Sequence, residues 1–283
     1  MGKKKKVIEP EYITSPIGTL LLNYKTYVMS KKQKMLYSLI GFLIGAVIGY
    51  IFFGGMFKDE SGASTNATLI ANIVVLTIGG LVGRKFFVVY KKSSLQEKRI
   101  NDLKIQFRDF LSALSNSMSG GMNVTDALSV AYEDLCIQYS DESYIAVELL
   151  EMINGIHNNV PIEETLMNFG ERSGVDDISN FGSVFNICYR TGGNMRTIIR
   201  RTFDIISEKM MINEEIETTI TSNKMQLKVM MCIPVFITVM LKTLSTDFAK
   251  SLSSGIGVVL TCVAIGFFIF AYKFGNKIMN IKE

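Results

Sequence analysis

Histidine is almost missing from this chain: His157 is the one copy in 283 residues. A histidine-rich metal centre is thereby excluded, and any nucleophile activated by histidine would have to be built on that one side chain. His157 reads as a surface residue of a helix. The four cysteines, Cys136, Cys188, Cys232 and Cys262, include no CxxC pair and no short spacing, so neither a disulfide framework nor a zinc site is expected. There is no G-x-x-x-x-G-K-S/T loop to cradle nucleotide phosphates, so any ATP-driven work falls to a partner. HExxH and GxSxG are missing as well. The expectation is a chain that is not an enzyme, with no catalytic, cofactor-binding or metal-binding residues.

What is abundant is apolar. Hydrophobic residues make up 48% of the chain while 20% are charged, so the two kinds must be segregated along it. The net charge of +4 owes much to Lys3, Lys4, Lys5 and Lys6, and other cations sit beside apolar runs: Lys31, Lys32 and Lys34, Lys91 and Lys92, Lys273 and Lys277. That distribution marks membrane topology and headgroup lipid; nucleic acid would require a basic stripe on a folded face.

Residues 1–34 read as a polar cytosolic segment without a cleavable leader. Four spans follow: 35–57, 66–90, 228–246 and 254–274. The third is the least apolar, with Lys228 and Lys242 at its ends and Pro234 inside, and is accepted because Lys242 can snorkel. Gly41, Gly45 and Gly49 fall four apart on the first span, a helix-packing face that lets another helix approach closely and a candidate contact between copies. With the N-terminus inside, the loop of Asp59 and Glu60 and the loop of Asp247 and Lys250 are external. Both termini and the middle of the chain are then cytosolic, the tail being 275–283.

Residues 91–227 change character, with charges every few positions and apolar residues at helical spacing. Six helices are expected. The first carries Ile100, Leu103, Phe107, Phe110, Leu111, Leu114 and Met118 on one face and stops at Gly120 and Gly121. The second is capped by Asn123 or Thr125, and the third starts at Ser140 or Asp141 with Ile145, Leu149, Met152, Ile153 and Ile156 inward. Pro161, Glu163 and Glu164 open the fourth. Asp176 and Asp177 open the fifth, which turns Ile178, Phe181, Phe185 and Cys188 inward. The sixth runs unbroken from Met195 through Met231. Nothing between Lys91 and Gln226 alternates with period two, so no strand is expected there. The fold class is all-α: an integral membrane protein with four transmembrane helices and a six-helix cytosolic bundle.

Adjacent carboxylates, such as Glu133 with Asp134 and Glu214 with Glu215, point about 100° apart on a helix and are not matched acid and base pairs. The spans hold almost no ionisable residue at mid-depth, which disfavours a transporter. What stands out is a helix stop followed at once by a helix start: Arg190, Thr191, Gly192, Gly193 and Asn194, with Arg196, Arg200 and Arg201 just beyond. Its plain reading is a tight turn with solvated arginines; its functional reading is a docking face for an acidic partner surface.

Three stretches, FRDFLSALSNSMSGGMNVTDAL at 107–128, NNVPIEETLMNFGERSGVDDISNFGSVF at 158–185 and CYRTGGNMRTIIRRT at 188–202, resemble the type II secretion system F domain family. Within it, one helical domain between paired spans resembles the TadB/TadC-type platform proteins of tight-adherence pilus systems. The resemblance implies a multi-pass protein of the bacterial cytoplasmic membrane that couples a hexameric assembly ATPase to extraction of pilin or pseudopilin. It also implies a homo- or hetero-oligomer and a paralogous platform protein as partner; it carries over no catalytic residues. A membrane receptor or signalling scaffold is the alternative, and the short external loops argue against it.

Overall fold

The computed structural model describes residues 10–54 and 66–279. Lys3 to Lys6, the loop of Lys58, Asp59 and Glu60, and Lys282 lie outside them. Two short strands, β1 (Tyr12–Thr14) and β2 (Leu20–Leu22), precede nine helices among the described residues. These are α1 (Lys31–Phe53), α2 (Asn66–Ser119), α3 (Val124–Tyr139), α4 (Tyr144–His157), α5 (Ile162–Ser173), α6 (Asp176–Thr191), α7 (Met195–Leu244), α8 (Thr246–Ser253) and α9 (Gly255–Met279). The chain divides into two compact units, residues 1–28 with 92–212, and residues 29–91 with 213–283. Helices α2 and α7 contribute to both.

In the first unit the C-terminal part of α2, the helices α3 to α6 and the N-terminal part of α7 surround one core. Phe107 is at its centre, its ring 5.9, 6.2 and 5.6 Å from those of Phe110, Phe169 and Phe181. The stripe Leu103, Phe107, Phe110, Leu111, Leu114 and Met118 is buried, as are Ile145, Leu149 and Met152 of α4 and Ile178, Phe181 and Phe185 of α6. Apolar spacing of three and four residues forces this result, since each helix can hide such a stripe in one direction alone. Helices α5 and α6 cross closely because glycine lies at the contact: a methyl group at Gly170 would come 2.9 Å from the Cα of Ser179. Among the described residues no strand lies between Lys91 and Gln226.

Several boundaries differ from the sequence reading. The second span, 66–90, and the first helix of the bundle are one element, for α2 is a single helix of 54 residues that runs through Lys91. The polarity changes there, but Leu95, Gln96, Glu97, Lys98 and Arg99 are good helix formers and no glycine or proline intervenes. Ser143, not Ser140 or Asp141, caps α4, accepting from the Ala146 amide. The expected external loop of Asp247 and Lys250 contains the eight-residue α8.

The N-terminal segment is the largest departure. The sequence marks residues 1–34 as a polar segment and assigns no element to it, yet residues 10–28 fold against the bundle. β1 and β2 pair antiparallel in the register Tyr12 to Leu22, Ile13 to Leu21 and Thr14 to Leu20. The turn closes through Ser15, whose amide donates to the Thr19 carbonyl at 2.8 Å, with Gly18 at φ +87°.

The second unit holds four helices long and apolar enough to cross a membrane, within Lys31–Phe53, Asn66–Ser119, Met225–Leu244 and Gly255–Gly275. Their apolar side chains stay exposed: Leu39, Leu43, Ile73, Val82, Val259 and Phe267 show more than half their area. Water would oppose so much uncovered hydrocarbon, whereas lipid accommodates it. Helices α1 and α2 cross antiparallel through glycine. A methyl group at Gly41 would meet the Gly83 carbonyl oxygen at 3.0 Å, one at Gly45 the Gly79 oxygen at 2.2 Å, and one at Gly49 the Val75 oxygen at 3.3 Å. The face that was a candidate contact between copies therefore packs within the chain. Lys242 of α7 donates to the carbonyls of Ile51, Phe52 and Gly54 at 2.7, 3.3 and 3.3 Å. Its ammonium thus caps the C-terminal end of α1, where the helix dipole favours a cation, instead of snorkelling freely.

Candidate functional site

Two places in the first unit concentrate unusual chemistry. One is the turn between α6 and α7. Thr191 ends α6, Gly192 takes the left-handed conformation at φ +71°, and the Gly193 amide returns to the Cys188 carbonyl at 2.8 Å. A side chain with a Cβ is strained at that φ, which is why glycine occupies it. Asn194 then caps α7, its Oδ1 accepting from the Thr197 amide at 3.2 Å.

Of the arginines, Arg190 donates to Glu163 at 3.3 Å, and this carboxylate, placed in the first turn of α5, also gains from that helix's dipole. Glu163 is buried and its second oxygen has no hydrogen-bond partner among the described residues. Arg196, Arg200 and Arg201 are exposed and make no ion pair among the described residues. With Met195 and Ile199 buried, α7 turns its apolar stripe inward and these three cations outward.

The second place was not found from sequence. Arg172 of α5 and Glu148 of α4 form a bidentate pair at 2.9 and 2.6 Å, with side chains 3% and 1% exposed. The other donors of Arg172 reach the Asn168 Oδ1 at 2.6 Å and the Leu22 carbonyl at 3.0 Å. Tyr24, itself buried, donates its hydroxyl to Glu148 at 2.9 Å, and its amide donates to the Arg172 carbonyl at 3.0 Å. The strap that carries β1 and β2 is thus fastened to α4 and α5 by a desolvated ion pair. Thr19 adds a bond to Glu151 at 2.6 Å, and farther along the Lys25 carbonyl accepts from Gln96 at 2.7 Å. Burial pushes the Glu148 carboxyl above its ordinary range, and the Arg172 and Tyr24 hydrogen bonds pull it back without cancelling the shift. Burial likewise raises the Tyr24 phenol well above its usual value, with the Glu148 charge adding to the effect.

One sign of this network was present in sequence. Glu148 lies three residues after Ile145 and four before Met152, on the buried face of its own helix. A carboxylate there requires a partner. Among the described residues no group of three or more His, Cys, Asp or Glu side chains could hold a metal ion.

The architecture is predominantly helical, with one helical bundle built on a single core and four helices long and apolar enough to cross a membrane. Residues 110–242 match the family model described as Type II secretion system (T2SS), protein F, and this chain therefore carries that family's domain. No curated protein and no solved structure matches it. Proteins of the family are inner-membrane platforms of secretion and type IV pilus-like machines.

Proposed function

We propose that this chain is the inner-membrane platform of a tight-adherence or type II secretion-like machine, coupling a cytosolic assembly ATPase to extraction and assembly of pilin or pseudopilin. It crosses the membrane four times, with both termini and the helical bundle in the cytosol, and it is not an enzyme. The F domain match at 110–242 is the observation that carries this reading. The apolar helices and the cations beside them support it.

In this mechanism the hexameric ATPase docks through the Arg190 to Asn194 turn and the outward Arg196, Arg200 and Arg201. Helix α7, continuous for 50 residues from the Asn194 cap, carries the displacement as a rod. The Glu148–Arg172 pair holds the strap, so that the bundle moves as one body. A paralogous platform protein or further copies of the chain complete the assembly through apolar faces other than the glycine crossing.

Charge reversal at the docking face is the test. The double variant Arg196→Glu and Arg200→Glu is expected to lower co-purification with the ATPase while membrane insertion stays intact. Unchanged co-purification would return these arginines to an ordinary solvated face. Deletion of the gene should abolish surface fibres, and normal fibres would remove the platform reading.

A further inference from the structure

Two clefts open beside the α1–α2 crossing, on either side of the same two cations. One, of about 470 Å³, is lined by Lys31, Lys34 and Arg84 with Met35, Leu39 and Phe42. The other, of about 360 Å³, is lined by Lys34, Arg84 and Lys85 with Leu81, Val88 and Val89. Ser38 lies in both. No carboxylate lines either cleft, and the four cations make no ion pair among the described residues. Beside them Tyr37 packs against Phe87 at 6.4 Å and under the Lys91 ammonium at 5.7 Å, an aromatic pair of the kind that sits at headgroup level.

We infer that these clefts bind an anionic phospholipid, its phosphodiester held between Lys34 and Arg84 and its acyl chains laid along the apolar walls. The inference rests on the reading that α1 and α2 cross the membrane. Charge complementarity selects the headgroup: uncompensated cations at the edge of a hydrocarbon surface favour a phosphate, and Arg84 can meet it with two donors. The walls select a lipid over free phosphate, because a free ion leaves Met35, Leu39, Phe42, Val88 and Val89 uncovered. General attraction to an anionic membrane would use every nearby cation alike; a built site makes Lys34, Arg84 and the shared Ser38 matter most.

The test uses the full chain purified in neutral detergent, with retained phospholipid measured per chain and thermal stability read in parallel. Phosphatidylglycerol is expected to bind saturably and raise the melting temperature, while phosphatidylcholine and inorganic phosphate do neither. Replacing both cations, Lys34→Gln with Arg84→Gln, should weaken phosphatidylglycerol binding about twenty-five-fold, at roughly fivefold per cation. Ser38→Trp places an indole at the position the two clefts share, obstructs them without changing charge and should also reduce binding, whereas Lys273→Gln should leave it unchanged. Equal binding by the double variant, by phosphatidylcholine or by phosphate overturns the proposal. Carbonate-resistant membrane integration of wild type and variants separates loss of the lipid site from failure of the spanning reading; release by carbonate would refute that reading and the site with it.

Discussion

Removal of Arg172 is the sharpest probe of how the first unit is held together. In Arg172→Met the apolar stem is largely replaced, but Glu148 keeps one hydrogen bond of three, that from Tyr24 at 2.9 Å. Breaking a buried pair from one side costs about 3–5 kcal/mol, because the remaining charge is desolvated and uncompensated. At about 2–4 °C per kcal/mol for a unit of this size, the melting temperature should fall by roughly 10 °C.

The pH dependence carries a sign of its own. Burial already raises Glu148, and loss of Arg172 removes the largest opposing influence, so the folded pKa rises further above the unfolded one. A group raised in this way contributes stability that is complete below its unfolded pKa and is lost as pH climbs through the folded value. The penalty of Arg172→Met should therefore be smaller at pH 5 than at pH 8. Glu148→Met with Arg172→Met removes both charges and should recover most of the loss. Thermal melts of the full chain in detergent, followed by circular dichroism at the two pH values, measure all of this. A loss under about 1 kcal/mol for Arg172→Met, with no pH dependence, would refute the reasoning.

At the α1–α2 crossing, Gly45→Ala should destabilise the second unit by several kcal/mol, since its methyl meets backbone at 2.2 Å, while Gly266→Ala, with open space, should be neutral. Melts of the two variants in detergent decide it. Lys242→Met exposes three carbonyls at the end of α1 and should cost about 1–3 kcal/mol, read as faster proteolysis near residue 54. Tyr139, held by burial and by its hydrogen bond to Asp109, has its phenol pushed up to about 12. Its contribution is complete below pH 10 and is lost as pH rises through about 12, so the late phase of the 295 nm alkaline titration, to which Tyr24 also contributes, should shrink by one tyrosine in Tyr139→Phe.

The helical stripes were readable because each helix buries a face that its own spacing defines. Phe107, Leu114, Phe181 and Phe185 need no knowledge of their neighbours to be placed inside. Caps were readable where the side chain acts on its own amides, as at Asn123 and Asn194. What escaped depends on partners far away in sequence. Tyr24 meets Glu148 across 124 residues and Leu22 meets Arg172 across 150, and three-residue strands such as Tyr12–Thr14 carry too little periodicity to announce themselves. The use of Gly41, Gly45 and Gly49 was legible as close packing, but its partner was not, since α2 offers Gly79 and Gly83 at a register that a single span cannot reveal. Arg196, Arg200 and Arg201 stand between these cases: their exposure follows from the buried Met195 and Ile199 on the same helix, and the proposed docking partner is not written in the chain.

The orientation of the bundle bears most directly on the coupling mechanism. A single-cysteine reporter at Ile137, 87% exposed on α3, placed in a background lacking the four native cysteines, can be challenged with a membrane-impermeant maleimide. The account predicts no labelling in intact cells and full labelling once the inner membrane is opened. Labelling of intact cells would put the bundle on the far side from any cytosolic ATPase and contradict it.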